Sequence, residues 1–321
     1  MLSKPEFSKK QIIFLLANEG DKLSYSNDNV IVKDKDGNIK HQSTCYKLFM
    51  LCIVGNITLT SGILQRAKKF GFSIVLMTQT MKVYQVISAY AEGNTILRKK
   101  QYEYDSLELG RYLILNKIDN QYKTLNKIRD KSYKQKEALV KIKEQYEKLI
   151  RLNDLDVATI MGFEGSVARI YFRNIFDFDD WEIRRPRIKS DYINSSLDIG
   201  YTILFNLVEA ILGTYGFDLY YGVFHRCFYM RKSLVCDIME PMRPIIDWQL
   251  RKSINLLQFT KDDFKLFGHR YVLEWKANSK YVMTFTSALL EEKEKLFEYI
   301  QGYYRCFMKN KEAWEFERFE L

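Results

Sequence analysis

The chain is poor in the residues that would announce several common chemistries. Its five cysteines, at 45, 52, 227, 236 and 306, are odd in number and never form a C-x-x-C pair. That argues for reduced thiols in a cytosolic compartment and against a zinc site; Cys227 and Cys236 are expected to serve packing. Histidine is scarcer still, at 41, 225 and 269 only. The opening residues, Met-Leu-Ser-Lys-Pro-Glu-Phe, lack the apolar core of a signal peptide. The most apolar window, residues 48–54, is too short to cross a bilayer, so no membrane is expected. There is no P-loop and no dinucleotide fingerprint. No G-x-S-x-G elbow surrounds Ser233, which argues against serine-histidine-aspartate catalysis.

What is present is an ordinary globular composition, 47% hydrophobic and 28% charged, on 321 residues, a length that suggests two domains. A net charge of +10 and a pI near 9.1 favour a polyanionic partner, most commonly nucleic acid. Residues 98–150 hold 14 Lys/Arg against 8 acids. They read as solvated faces of a pair of amphipathic helices with Leu113, Ile118, Leu125 and Ile128 inward, and the excess charge would guide a DNA backbone.

The organisation is α+β: a small β-rich N-terminal domain, residues 1–92, followed by a larger all-α catalytic domain, residues 93–321. Gln11-Ile-Ile-Phe-Leu-Leu reads as a buried strand, and Leu23-Ser-Tyr-Ser and Val30-Ile-Val-Lys as further strands. Lys35-Asp-Gly-Asn is a hairpin turn, because Asp-Gly tolerates positive φ. Thr60 or Ser61 would cap a short helix that Gly71 ends, and Ser73-Ile-Val-Leu-Met returns as a strand, giving a small sheet carrying one helix. From Thr95 the period turns helical. Residues 177–191 pass from acidic (Asp177, Asp179, Asp180, Glu182) to basic (Arg184, Arg185, Arg187, Lys189), a solvated connector whose second half is a candidate phosphate contact. A strongly apolar core helix, 197–212, is closed by Gly213.

Two clusters carry the chemistry. In the helix expected over 155–175, Val157, Ile160, Met161, Val167, Ala168 and Tyr171 form an apolar stripe, and Glu164 lies on it. A carboxylate on a core-facing stripe is costly without a compensating cation or donor. The alternatives are a buried ion pair with an arginine and a metal ligand. Gly162 and Gly165 would permit close approach of another segment. The second cluster, residues 225–247, holds His225, Arg231, Lys232, Asp237, Glu240, Arg243 and Asp247. Asp237 and Glu240 can lie side by side although Pro241 and Pro244 interrupt a helix, and two such anions repel unless a cation sits between them. One nitrogen and carboxylate oxygens suit Mg²⁺ or Mn²⁺, and arginines around such an ion suit a phosphate. Metal-assisted phosphoryl transfer is the class this leaves.

The ordered set Glu164-Gly165, Arg185-Pro186, Asn194, Gly200-Tyr201, His225 and Arg231 through Asp247 resembles the CRISPR-associated integrase of spacer acquisition, the universal adaptation nuclease family. Lys117, Asn120, Gln121 and residues 58–77 also look like that family. Met230 departs from it where a glycine commonly stands, and Leu219 where a proline often does. The resemblance implies a β-rich domain that forms homodimers and a helical domain that holds the metal through Glu164, His225 and Glu240, with Asp237 sharing the ion or supporting it. It implies a cytoplasmic, prokaryotic protein that acts with a small ferredoxin-like CRISPR adaptation partner, two integrase dimers flanking one partner dimer. Short duplex DNA, the spacer precursor, would enter a repeat array by attack of its 3′-hydroxyl on a phosphodiester. Arg243, Arg231 and Lys232 would hold the phosphate, and Arg185 and Arg187 would track the duplex; Arg243 can equally pair with Asp237 or Asp247. The rivals are a stand-alone metal nuclease or junction resolvase acting on branched DNA, and a basic DNA-binding scaffold whose acids are structural.

Overall fold

A computed structural model describes residues 2–89, 91, 93–178, 181–225 and 229–321. Cys227, assigned above to packing, and Asp179 and Asp180 of the connector lie outside the described residues. After the short helix α1 (Lys4–Ser8) come β1 (Gln11–Ala17), β2 (Lys22–Ser26), β3 (Asn29–Lys33), β4 (Ile39–Thr44), β5 (Leu48–Gly55) and β6 (Thr58–Leu59). Helix α2 (Ser61–Phe70) then leads to β7 (Ser73–Met77) and β8 (Val83–Ile87). The strands form two four-stranded sheets, β1-β5-β7-β8 and β4-β3-β2-β6, where a single small sheet was expected. The Asp36-Gly37 turn joins β3 to β4, with Gly37 at φ 89. Gly71 ends α2 in the left-handed region as expected, whereas Thr60 sits at the N-cap without a capping side-chain bond.

Strand β5 explains why the two halves form one body. It pairs in parallel with both β1 and β7, which leaves it buried along its whole length. Side chains alternate across a strand, so Leu51 and Ile53 enter the core between the sheets while Met50, Cys52 and Val54 enter the core shared with the helices.

The helical region runs α3 (Thr95–Glu103), α4 (Glu108–Asn126), α5 (Tyr133–Ile150), α6 (Val157–Ile175), α7 (Tyr192–Tyr215), α8 (Ser233–Met239), a 3-10 turn (Glu240–Met242) and α9 (Arg243–Asn255). A hairpin of β9 (Phe264–Phe267) and β10 (Arg270–Leu273) precedes α10 (Trp275–Glu291) and α11 (Lys293–Met308), so the region is mostly rather than wholly helical. Residues 98–150 accordingly make the end of α3 plus two full helices. Asn94, Ser132, Asp156 and Asp191 each accept a backbone amide in the first turn of their helix, which satisfies donors the helix cannot.

Three boundary and face expectations change. Helix α7 continues through Gly213 and closes at Gly216, where φ is 86. Val157 and Met161 are exposed, so the inward stripe of α6 is Ile160, Val167, Tyr171 and Ile175, with Glu164 in line. A Cβ added at Gly162 or Gly165 would meet open space, so neither glycine serves close approach. Among the described residues α7 is the one helix long and apolar enough to cross a bilayer, but 78% of its apolar window is buried inside the fold. Its Gly200 is needed, because a Cβ there would lie 2.4 Å from Ile246 Cγ2 of α9.

Candidate active site

Helices α4 and α6 and the 3-10 turn after α8 bring three charges together. Lys117 Nζ lies 2.5 Å from Glu164 Oε1 and 2.7 Å from Glu240 Oε2. Arg243 Nη2 lies 2.8 Å from Glu240 Oε1, which settles the partner of Arg243 in favour of neither Asp237 nor Asp247. The partner of Glu164 is thus a lysine, not the arginine considered above. Its side chain is 19% exposed, against 7% for Lys117 and 4% for Glu240. Burial pushes the Lys117 ammonium toward its neutral form, but Glu164 and Glu240 outweigh that and raise its pKa. Burial likewise opposes ionisation of Glu240, yet Arg243 and then Lys117 hold its carboxyl down at about 2.

Asp237 does something different from Glu240, three residues away. Pro241 ends α8 and Pro244 begins α9, where a missing N–H costs nothing, so the two carboxylates leave in different directions. Asp237 Oδ2 accepts the backbone amides of Val223 (2.8 Å) and Phe224 (3.0 Å). Its Oδ1 lies 3.1 Å from the His225 amide and 2.6 Å from His225 Nδ1. The approach is close enough that a Cβ on Gly222 would lie 2.4 Å from Asp237 Oδ2. Asp237 thus engages Nδ1 of the His225 ring, and the ring lines the cleft. Met230 stands at φ 58, a left-handed position that favours glycine.

A third buried carboxylate, Asp247, accepts hydrogen bonds from Tyr201 and, at 3.1 Å, from Tyr171. Burial pushes it up to about 6 although both hydroxyls pull the other way. The Tyr201 ring in turn lies under two guanidiniums, Arg243 at 4.9 Å and Arg184 at 5.4 Å.

Lys117, Glu164, His225, Glu240, Arg243 and Asp247 line one cleft of about 1590 Å³, which Met81 and Val83 of the N-terminal region also border, while Asp237 lies behind His225 and outside the lining. Of the expected phosphate contacts, Arg187, Arg231, Lys232 and Arg243 line it and Arg185 does not. Arg185 instead lies half-exposed, 3.6 Å from Glu182. Lys232 is tied to buried Glu209 at 2.5 Å, and Arg231 Nε to Cys236 Sγ at 3.3 Å. Arg184, the first of the basic run, also lines the cleft but pairs with Asp198 at 2.6 Å and Asn194 at 2.9 Å. The connector is less free than expected, since Asp177 holds Arg251 at 2.5 Å.

Helix α4 supplies the residues that sequence reasoning left without a role. Beside Lys117, Asn120 donates to the carbonyls of Pro241 (2.8 Å) and Phe319 (2.7 Å). Asn116 pairs with both the N–H and the carbonyl of Phe319. The signal was there: polar residues at 116, 117, 120, 121 and 124 fall on the buried side of an amphipathic helix.

Among the described residues no three His, Cys, Asp or Glu side chains are gathered as a metal-binding group. The donor chemistry nevertheless suits a hard divalent ion: the Lys117 ammonium stands as a cation between two carboxylates, and Glu240 Oε2, buried, has no aligned hydrogen bond.

A family model described as CRISPR associated protein Cas1 matches residues 14–287. A protein of Thermodesulfovibrio yellowstonii named CRISPR-associated endonuclease Cas1 1 is 28% identical over 227 residues, 66% of this chain and 71% of its own. Among solved structures, a chain of a Cas6-RT-Cas1–Cas2 complex superposes with TM-score 0.81 at 22% identity, over 97% of this chain but only 36% of that longer one. A casposase bound to integration product superposes with TM-score 0.76 at 18% identity, over 93% and 91% of the two chains.

Proposed function

This chain belongs to the CRISPR-associated Cas1 family, and on that premise we propose that it is a metal-dependent DNA integrase and endonuclease that joins short duplex DNA to a repeat array. The observation that supports the reading is the convergence of Glu164, Glu240 and His225 on one cleft whose wall also carries Arg187, Arg231 and Arg243. Acids alone would suit many ions; acids facing guanidiniums suit a phosphodiester.

Glu164, Glu240 and Nε2 of His225 would hold Mg²⁺ or Mn²⁺ in place of the Lys117 ammonium. Such an ion, when bound, lowers the pKa of an attacking hydroxyl and neutralises charge growing on the phosphate oxygens. Asp237 does not join this set, because its oxygens already receive three amides and an imidazole; it engages Nδ1 of His225 and so leaves Nε2 as the ring nitrogen offered to the ion. Arg243, clamped by Glu240 and the Tyr201 ring, presents a guanidinium of fixed orientation to a phosphate. In the transfer, a 3′-hydroxyl oxygen forms a bond to phosphorus and the target strand's bridging oxygen leaves. The attacking hydroxyl gives up its proton and the leaving oxygen gains one, so no cofactor is consumed.

The partners belong to the same proposal: homodimers acting with a small ferredoxin-like protein, in keeping with the Cas6-RT-Cas1–Cas2 complex, part of one chain of which shares this fold. The test mixes the chain and that partner with 3′-hydroxyl duplexes, supercoiled plasmid and Mg²⁺ or Mn²⁺. Joined products are expected. Cleavage without joining would favour the stand-alone nuclease, and no reaction in either metal would sink both.

A further inference from the structure

One polar side chain in the cleft wall has no part in the chemistry above. Gln121 lies one turn beyond Lys117 on α4, is 2% exposed, and lines the same cleft as Glu164. Its Oε1 is buried without a hydrogen-bond partner, unlike Glu240 Oε2 in the same wall, which has the Lys117 ammonium at 2.7 Å. Buried acceptors are nearly always paired, so an orphan oxygen on a residue of the cavity wall calls for a donor that arrives with a ligand. Lys117 does not serve Gln121, because its ammonium is committed to Glu164 and Glu240.

We propose that Gln121 is a substrate-contacting residue whose carboxamide oxygen accepts a hydrogen bond from the 3′-hydroxyl that attacks the phosphodiester. The inference rests on the strand-transfer reading above and adds the recognition of the nucleophile to it. A phosphate oxygen carries no proton and would repel the amide oxygen, whereas a hydroxyl supplies the missing donor. A neutral amide adds no charge to a site already holding two carboxylates. It cannot remove the proton either, so its part is to aim the oxygen, a geometric contribution to rate.

The alternative is that Gln121 merely fills space, and the two predict opposite signs. The binding assay uses two duplexes that differ only at the strand end, one with a 3′-hydroxyl and one with a 3′-deoxy terminus, with no target DNA present. Wild type should bind the hydroxyl form about three- to tenfold more tightly, the range expected of one hydrogen bond. Gln121→Met, close in volume but without the amide, should bind both alike. Its melting temperature should equal or exceed wild type, because an unpartnered buried amide has been removed. At saturating DNA its joining rate should fall by about tenfold or more. Equal binding of the two duplexes by wild type would overturn the proposal, as would discrimination that survives Gln121→Met, or a Gln121→Met protein that unfolds. Should wild type discriminate between the ends yet join nothing in either metal, the contact stands and the integration reading is what fails.

Discussion

Two carboxylates three residues apart, Asp237 and Glu240, are both almost wholly buried and yet are held by opposite means. Asp237 is satisfied by the chain's own amides and by His225, with no formal cation required. Glu240 is compensated by two cations, and one of its oxygens keeps unused accepting capacity. Backbone amides cannot leave without unfolding the loop, whereas an ammonium can yield its place to another cation. The first arrangement therefore fixes geometry, and the second holds charge that can be exchanged.

The largest expected effect tests the first half of that contrast. Asp237→Ala would strand three buried amides and an imidazole, and at about 1–3 kcal/mol for each orphan the fold should lose on the order of 5 kcal/mol. Urea denaturation measures this; a loss below about 1 kcal/mol would mean the loop is not built on Asp237. Next comes Lys117→Met, which leaves Glu164 and Glu240 facing each other and should cost about 3–5 kcal/mol. Millimolar Mg²⁺ or Mn²⁺ should restore much of the melting temperature in this variant and do little for Asp237→Ala. Equal rescue of both, or of neither, would erase the distinction.

A smaller effect lies in pH. Glu240 is shifted down, from 4.5 to about 2, so its contribution to stability is present above pH 4.5 and lost as pH falls toward 2. Asp247 is shifted up, from 3.8 to about 6, so its contribution is present below 3.8 and lost as pH rises through 6. Denaturation midpoints should follow these signs, with Glu240→Gln flattening the acid limb and Asp247→Asn the stretch from pH 4 to 6. The smallest expected change is Tyr201→Phe, which keeps the ring beneath Arg243 and removes one hydroxyl from Asp247. About 1 kcal/mol is expected, with strand joining little affected; a large loss of joining would show that the hydroxyl does more than support Asp247.

Much of this was legible in the sequence for physical reasons. Glu164 was visible because a helix repeats every 3.6 residues and its apolar neighbours were not interrupted elsewhere. The strands at 11–17, 22–33 and 73–77 were visible through their apolar patterns and the turns between them, whereas the central strand Leu48–Gly55, buried on both faces, has no alternation to mark it. The bridging role of Lys117 was not, since it joins residues 47 apart in one case and far more distant in the other, and spacing carries no record of such pairing. Nor was the role of Asp237, because backbone amides leave no mark in side-chain identity. Gly213 misled because a glycine buried within a long helix looks the same, in sequence, as one that ends it.

The amide of Asn120 has a further consequence. It fastens Pro241, next to Glu240, to Phe319, and Asn116 grips the same Phe319. Every acid, cation and imidazole of the cleft leaves the ribosome before Phe319 does. During synthesis, then, the parts of the site are all present before the segment that locks them is made, and a chain stalled short of that point holds the ligands without the brace.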